Sequence, residues 1–207
     1  MKRYFLTLLL VVFCNFVYSQ KGKATLILKD STQINGIGEV SGFSSIVTVK
    51  FSNDTLKYKT YRSKEIIGID ILENDYKRKF RYKYVDGNKF PEIVEVLSND
   101  NLSLYLRLYD EGSIAKAIFN GAVNPRANFT VLFPRASYYV GTNNNEKIKS
   151  LYTCGLPFAK SFKNSMKDFF KDCPELLEKV ENKEFTNDNL LEVLNFYNTE
   201  CLKKEQN

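Results

Sequence analysis

From Ala24 to about Leu151 apolar and polar positions alternate with period two, and turn-forming residues recur about every 8 to 12 positions. That pattern predicts an antiparallel sheet, either a meander or a small barrel. Leu102, Leu104, Leu106 and Leu108 share one face of a strand while Ser103, Tyr105, Arg107 and Tyr109 occupy the other, so one face is expected in the core and the other in water. Ile67, Ile69 and Ile71 repeat the alternation, and Ile46 to Phe51 is β-branched enough for a strand buried on both sides. Asn53-Asp54, Asp86-Gly87-Asn88 and Asp110-Glu111-Gly112 supply the Asn, Asp and Gly residues that tolerate positive φ in tight turns. Asn143 to Asn145 marks a hairpin between Tyr138–Val140 and Ile148–Tyr152. Residues 113 to 134, interrupted by Gly121, Pro125 and Pro134, read as a long loop that can carry one short helix.

After about residue 160 the period changes to roughly 3.6 and three helices are expected. Phe162, Met166, Phe169, Phe170 and Cys173 form one apolar stripe. Asp172 or Cys173 can cap a second helix, with Pro174 in its first turn, where a missing N–H costs nothing, and with Leu176, Leu177 and Val180 as its apolar side. Thr186 is the expected N-cap of a third, with Phe185 stapled onto Leu190 and the stripe continuing through Leu194, Tyr197 and Cys201. The overall expectation is an α+β chain: an antiparallel β domain over residues 20–152 followed by a helical unit over 153–207.

Tyr76 to Val85 is the most basic segment. As a strand it puts Tyr76, Arg78, Phe80, Tyr82 and Tyr84 on one side and Lys77, Lys79, Arg81 and Lys83 on the other, so the aromatics are expected to pack and the cations to project. Four like charges on one face repel unless carboxylates, solvent or an anionic ligand compensate. An ordinary solvated face satisfies this requirement, and so does a site for an acidic polymer; Lys77, Lys79, Arg81 and Lys83 are the candidate ligand-binding residues.

The amino terminus changes where such a polymer would be met. Lys2 and Arg3 precede an apolar run from Tyr4 to Phe13 of about 10 residues, short of the roughly 20 that span a bilayer, and Val17 and Ser19 suit the −3 and −1 positions of a signal-peptidase site. Residues 1–19 are therefore expected to be a secretory signal peptide, cleaved after Ser19, leaving no transmembrane segment. Bulky Phe13 before Cys14 argues against a lipoprotein. Processing removes Lys2 and Arg3 and lowers the net charge from +6 to +4. Residues 20 to 159 carry +6 and residues 160 to 207 carry −2, consistent with two differently built parts.

Of the 207 residues none is His, which excludes Ser-His-Asp and Cys-His nucleophiles and His-ligated zinc. No cofactor and no metal site is expected. Three cysteines remain after processing, and an exported chain meets an oxidising compartment. Cys173 and Cys201 end the stripes of the first and third helices, so a Cys173–Cys201 disulfide is expected; a Cys154–Cys173 pair or three thiols are the alternatives.

"EIVEVLSNDNLSLYLRLY" from Glu92 to Tyr109 and "DFFKDCPELLEKVENKEFTNDNLLEVLNFYNTEC" from Asp168 to Cys201 resemble a set of uncharacterised secreted proteins of Bacteroidetes. The layout is similar too, with a signal peptide, a β-rich body opening near Leu28-Lys29-Asp30, and a short helical end whose Asp-Cys-Pro and Tyr-Asn-x-x-Cys elements are the most specific. The resemblance implies localisation and architecture and brings no catalytic residues. It also gives meaning to Asp30-Ser31-Thr32 and Asp54-Thr55-Leu56, which look like the O-glycosylation acceptor sites of that lineage, with Ser31 and Thr55 as the acceptors. The sequons at Asn53, Asn101 and Asn128 matter only in a eukaryotic secretory pathway.

The leading expectation is a periplasmic or extracellular envelope protein without enzymatic activity, binding an anionic envelope polymer or a protein partner. The alternative is a carboxylate-dependent hydrolase of envelope glycans, for which Asp70, Glu73 and Asp75 are the only close acidic group around a strand end; a solvated turn before the basic strand accounts for them as well. Nucleic-acid binding would use the same cations, but secretion argues against it.

Overall fold

The computed structural model describes residues 22–43, 46–53, 57–73, 75–108, 136–142, 145–154 and 159–202. The expected signal peptide, the 113–134 loop, the Asp110-Glu111-Gly112 turn, the Thr55 site and the Asn128 sequon lie outside them.

The chain is α+β, with ten strands in one mostly antiparallel sheet and three carboxy-terminal helices among the described residues. The strands are β1 (Gly22–Leu28), β2 (Gln33–Phe43), β3 (Ile46–Ser52), β4 (Lys59–Tyr61), β5 (Ile66–Glu73), β6 (Tyr76–Val85), β7 (Glu92–Val96), β8 (Ser103–Leu108), β9 (Ala136–Gly141) and β10 (Lys147–Cys154). Their order, β10-β9-β8-β7-β6-β5-β1-β2-β3-β4, corrects both simple expectations. It is two meanders, joined where β5 returns to lie beside β1, and it is not a closed barrel. At one end β6 and β10 meet in two parallel pairs, Tyr84 with Lys147 and Val85 with Ile148. The Tyr84 N–H donates to the Glu146 carbonyl at 2.7 Å and the Asp86 N–H to the Ile148 carbonyl at 3.0 Å, so β6 to β10 wrap a small cluster of Val85, Val94, Tyr105, Tyr139 and Ile148.

That curl overturns the reading of the leucine strand. Leu104 faces the helices, but Ser103, Tyr105 and Arg107, expected in water, are buried as well, because the opposite face of β8 lines the second cluster. Arg107 is accommodated by an ion pair with Glu92. The isoleucine strand also departs from strict alternation: its pairing with β1 shifts register between Ile27 and Leu28, a bulge that skips Ile67 and turns Ile66 and Ile69 both into the core. In β3, Val49 and Phe51 are buried but Lys50 reaches solvent and pairs with Glu39 at 3.1 Å, so this part of the strand is buried on one side only.

Gly36 allows the first meander to fold tightly on itself. A Cβ there would stand 2.2 Å from the Ser52 carbonyl oxygen and 2.6 Å from the Phe51 ring, and the oxygen is backbone and cannot swing away. Gly36→Ala is expected to destabilise the protein by about 1–3 kcal/mol, as overpacking of a filled core does. A chemical denaturation midpoint equal to that of the parent would contradict this close approach.

The helices are α1 (Phe162–Phe169), α2 (Pro174–Glu181) and α3 (Leu190–Phe196), the last entered through a 3-10 turn at Asn187–Asn189 and followed by a π turn at Tyr197–Cys201. The Ser161 hydroxyl caps α1, Pro174 opens α2, and Thr186 and Asn189 form a reciprocal capping box before α3. Cys173 is the N-cap position of α2, but its side chain makes no capping bond. Met166, Phe170, Cys173, Leu176, Val180, Leu190, Val193, Leu194, Tyr197 and Cys201 share one core with Leu104, Val140 and Leu151 of the sheet. Cys173 and Cys201 stand at disulfide distance, their Cα atoms 5.7 Å apart. The Cys154 thiol donates to the Ala136 carbonyl at the far end of the β9–β10 pairing, outside that pair. Asn198 fastens the last turn to the sheet, accepting from the Leu102 N–H at 2.8 Å and donating to the Leu102 carbonyl at 2.9 Å.

Candidate anion-binding face

β6 spans Tyr76–Val85, the segment predicted as a strand, and its register separates the two faces as the alternation requires. On the basic face Arg81 stands opposite Gly68, Lys79 opposite Asp70 and Lys77 opposite Leu72. The pairing with β1 extends these rows: Lys77–Leu72–Lys23, Lys79–Asp70–Thr25 and Arg81–Gly68–Ile27.

The four predicted residues do not behave alike. Lys77 and Lys79 are exposed, while Arg81 and Lys83 are half-buried and held. Arg81 reaches back onto β5 and its own strand, donating to Asp70 at 2.6 Å and to the Phe80 carbonyl at 2.9 Å. Gly68 leaves it room, since a Cβ there would come within 3.0 Å of the Arg81 Cδ and 2.0 Å of the Phe80 carbonyl oxygen. Lys83 donates to the Asn145 carbonyl at 2.7 Å and stands over the Tyr105 ring; burial pushes its amine below the usual lysine range, against the pull of Glu146. Asp70, 8% exposed, sits amid the ridge and also accepts from Lys77 at 3.1 Å. The projecting ridge of four cations is thus corrected to two exposed lysines beside an arginine that neutralises a buried carboxylate. Periodicity places a side chain on a face but does not show which carboxylate the neighbouring strand sets beneath it.

The aromatic side is mixed as well. Phe80 is buried and Tyr82 half-buried, but Tyr76 is 62% exposed and Tyr84 38%. Arg78 occupies that side as a bidentate partner of Glu95, at 2.8 and 2.7 Å, with Glu73 at 3.1 Å. Hydrogen bonding to Glu95 holds its guanidinium above the usual arginine range, against the opposing effect of burial. Burial also pushes the Tyr82 phenol up to about 12, with Glu65 adding to the shift.

The acidic group at the β5–β6 hairpin does not assemble a carboxylate pair. Asp70 and Glu73 fall on opposite faces of β5 and are committed to Lys77 and Arg81, and to Arg78, respectively, while Asp75 is in the turn with φ 64°. A cleft of about 410 Å³ between β10 and α1 is lined by Tyr152, Lys160, Ser165, Asp168 and Phe169, and Asp168, its one carboxylate among the described residues, is ion-paired to Lys160. Among the described residues no group of three or more His, Cys, Asp or Glu side chains is placed to hold a metal ion, and no helix is long and apolar enough to cross a membrane.

Comparison of the chain with protein-family models, with curated proteins and with solved structures gives no match.

Proposed function

We propose that this chain is a non-catalytic binding module, exported to the periplasm or the cell surface, that holds an anionic envelope polymer on the open face of β6. The observation that supports this reading is the exposure of Lys77 and Lys79 on a part of the sheet away from the helices, which share their core with β8 to β10. Ordinary salt bridges leave these two amines accessible: Lys77 shares Asp70 with Arg81, and Lys79 has no ion pair among the described residues. Export rests on the signal-peptide pattern and on the resemblance to secreted proteins.

The test follows from the pairing of Arg81. Removing all four cations would strip Asp70 of its partners and confound binding with folding, so the informative variant is Lys77→Gln with Lys79→Gln. Its association with isolated envelope at low salt is expected to fall severalfold, because each screened contact is worth about 0.2–1 kcal/mol, while its circular dichroism stays that of the parent. Undiminished association would return the segment to an ordinary wet strand.

A further inference from the structure

We infer that the ligand lies across the strands rather than along β6, contacting Lys23 of β1 as well as Lys77 and Lys79, and that it is a uronate-bearing polysaccharide. This rests on the reading of the β6 face as a polymer site and changes its direction and membership. Along β6 the cations run out: beyond Lys79 come Arg81, tied to Asp70, and Lys83, tied to Asn145. Across the sheet they continue. Lys77, Leu72 and Lys23 form one row, with Leu72 43% exposed between two exposed lysines. Lys23 makes no ion pair among the described residues. Strand spacing places Lys23 about 10 Å from Lys77, and the strand rise places Lys79 about 7 Å from Lys77. The three lysine positions on the sheet therefore outline a triangle rather than a line.

The neighbouring rows supply the other half of the chemistry. Thr25 and Asn35 stand opposite each other beside Asp70, their side chains 2.9 Å apart in a hydrogen bond, and Gln33 follows one row on. Hydroxyl and amide groups on an open sheet face offer donors and acceptors to sugar hydroxyls, and the single exposed Leu72 offers little to a lipid. The accessible cations are all lysines, point charges on flexible stems. The arginine, whose planar fork would suit bidentate capture of a phosphate, is half-buried and turns one of its terminal nitrogens to Asp70 and the Phe80 carbonyl. Spaced carboxylates on a hydroxyl-rich chain match this set better than a clustered phosphate does.

The probe is polygalacturonate, with polyphosphate and neutral dextran beside it, and affinity is measured at low salt on the whole exported chain and on Lys23→Gln, Lys77→Gln/Lys79→Gln and Lys83→Gln. Loss of about threefold to fivefold with Lys23→Gln, the most one exposed ion pair supplies, and no change with Lys83→Gln, is the expected result. Parent affinity in Lys23→Gln together with weakening in Lys83→Gln would overturn the transverse path while leaving the β6 face as the site. Binding of polyphosphate in preference to polygalacturonate would overturn the uronate assignment alone. No binding of either polymer by the parent would overturn both this inference and the reading on which it rests.

Discussion

Replacing Cys173 and Cys201 together by alanine is expected to lower the stability of the helical unit by about 3.5 kcal/mol in the chain-entropy model, because the link closes a loop of 28 residues. The two residues stand at the start of α2 and at the end of the π turn after α3, both buried, so the link joins the ends of a small core rather than stapling a surface loop. That core is not self-sufficient: it includes Leu104, Val140 and Leu151 of β8, β9 and β10. Loosening the helices therefore uncovers the sheet, and reductant is expected to lower the thermal midpoint of the whole chain in a single transition. Peptide mapping without reductant is expected to find Cys173 joined to Cys201 and Cys154 outside the link. Free, alkylatable Cys173 and Cys201 in the native oxidised protein would defeat this expectation.

The tail was legible because its signals are local. Ser161, Pro174 and Thr186 are read within a few residues of the turns they organise, and a 3.6-residue period needs no partner strand to be seen. The same holds for the extent of β6 and for the turn at Gly87, whose φ is +86°. What escaped the sequence is non-local pairing. Nothing in Ile66–Glu73 announces that it lies beside Gly22–Leu28 rather than beside the strand it follows, yet that choice brings Lys23 into line with Leu72 and Lys77 and sets Thr25 beside Asp70. The proposed place of Lys23 is invisible in the sequence for this reason: its signal is a register, and only two strands together carry it. Arg81 shows the opposite error, a cation that alternation assigns to water and a neighbouring carboxylate holds down.

Arg107 is the sharpest case of such an assignment, and its partner gives the other large expected effect. Glu92→Met is expected to cost about 3 kcal/mol, the lower end of the range for breaking a buried ion pair, because it leaves the guanidinium of a residue only 6% exposed without its carboxylate. Arg107→Met is expected to cost less. Glu92 keeps some access to water and also accepts from the Asn88 amide at 2.8 Å, so its charge is less stranded when the arginine goes. The two effects are not expected to add. In Arg107→Met/Glu92→Met neither charge of the pair is left to desolvate, and two flexible apolar chains can fill the space beside the Val94, Tyr105 and Tyr139 cluster, so the double variant is expected to be more stable than Glu92→Met alone. Denaturant unfolding of the four proteins closes the cycle. Strict additivity of the single costs would mean that the pair is solvent-screened, and that the second face of β8 is wet after all.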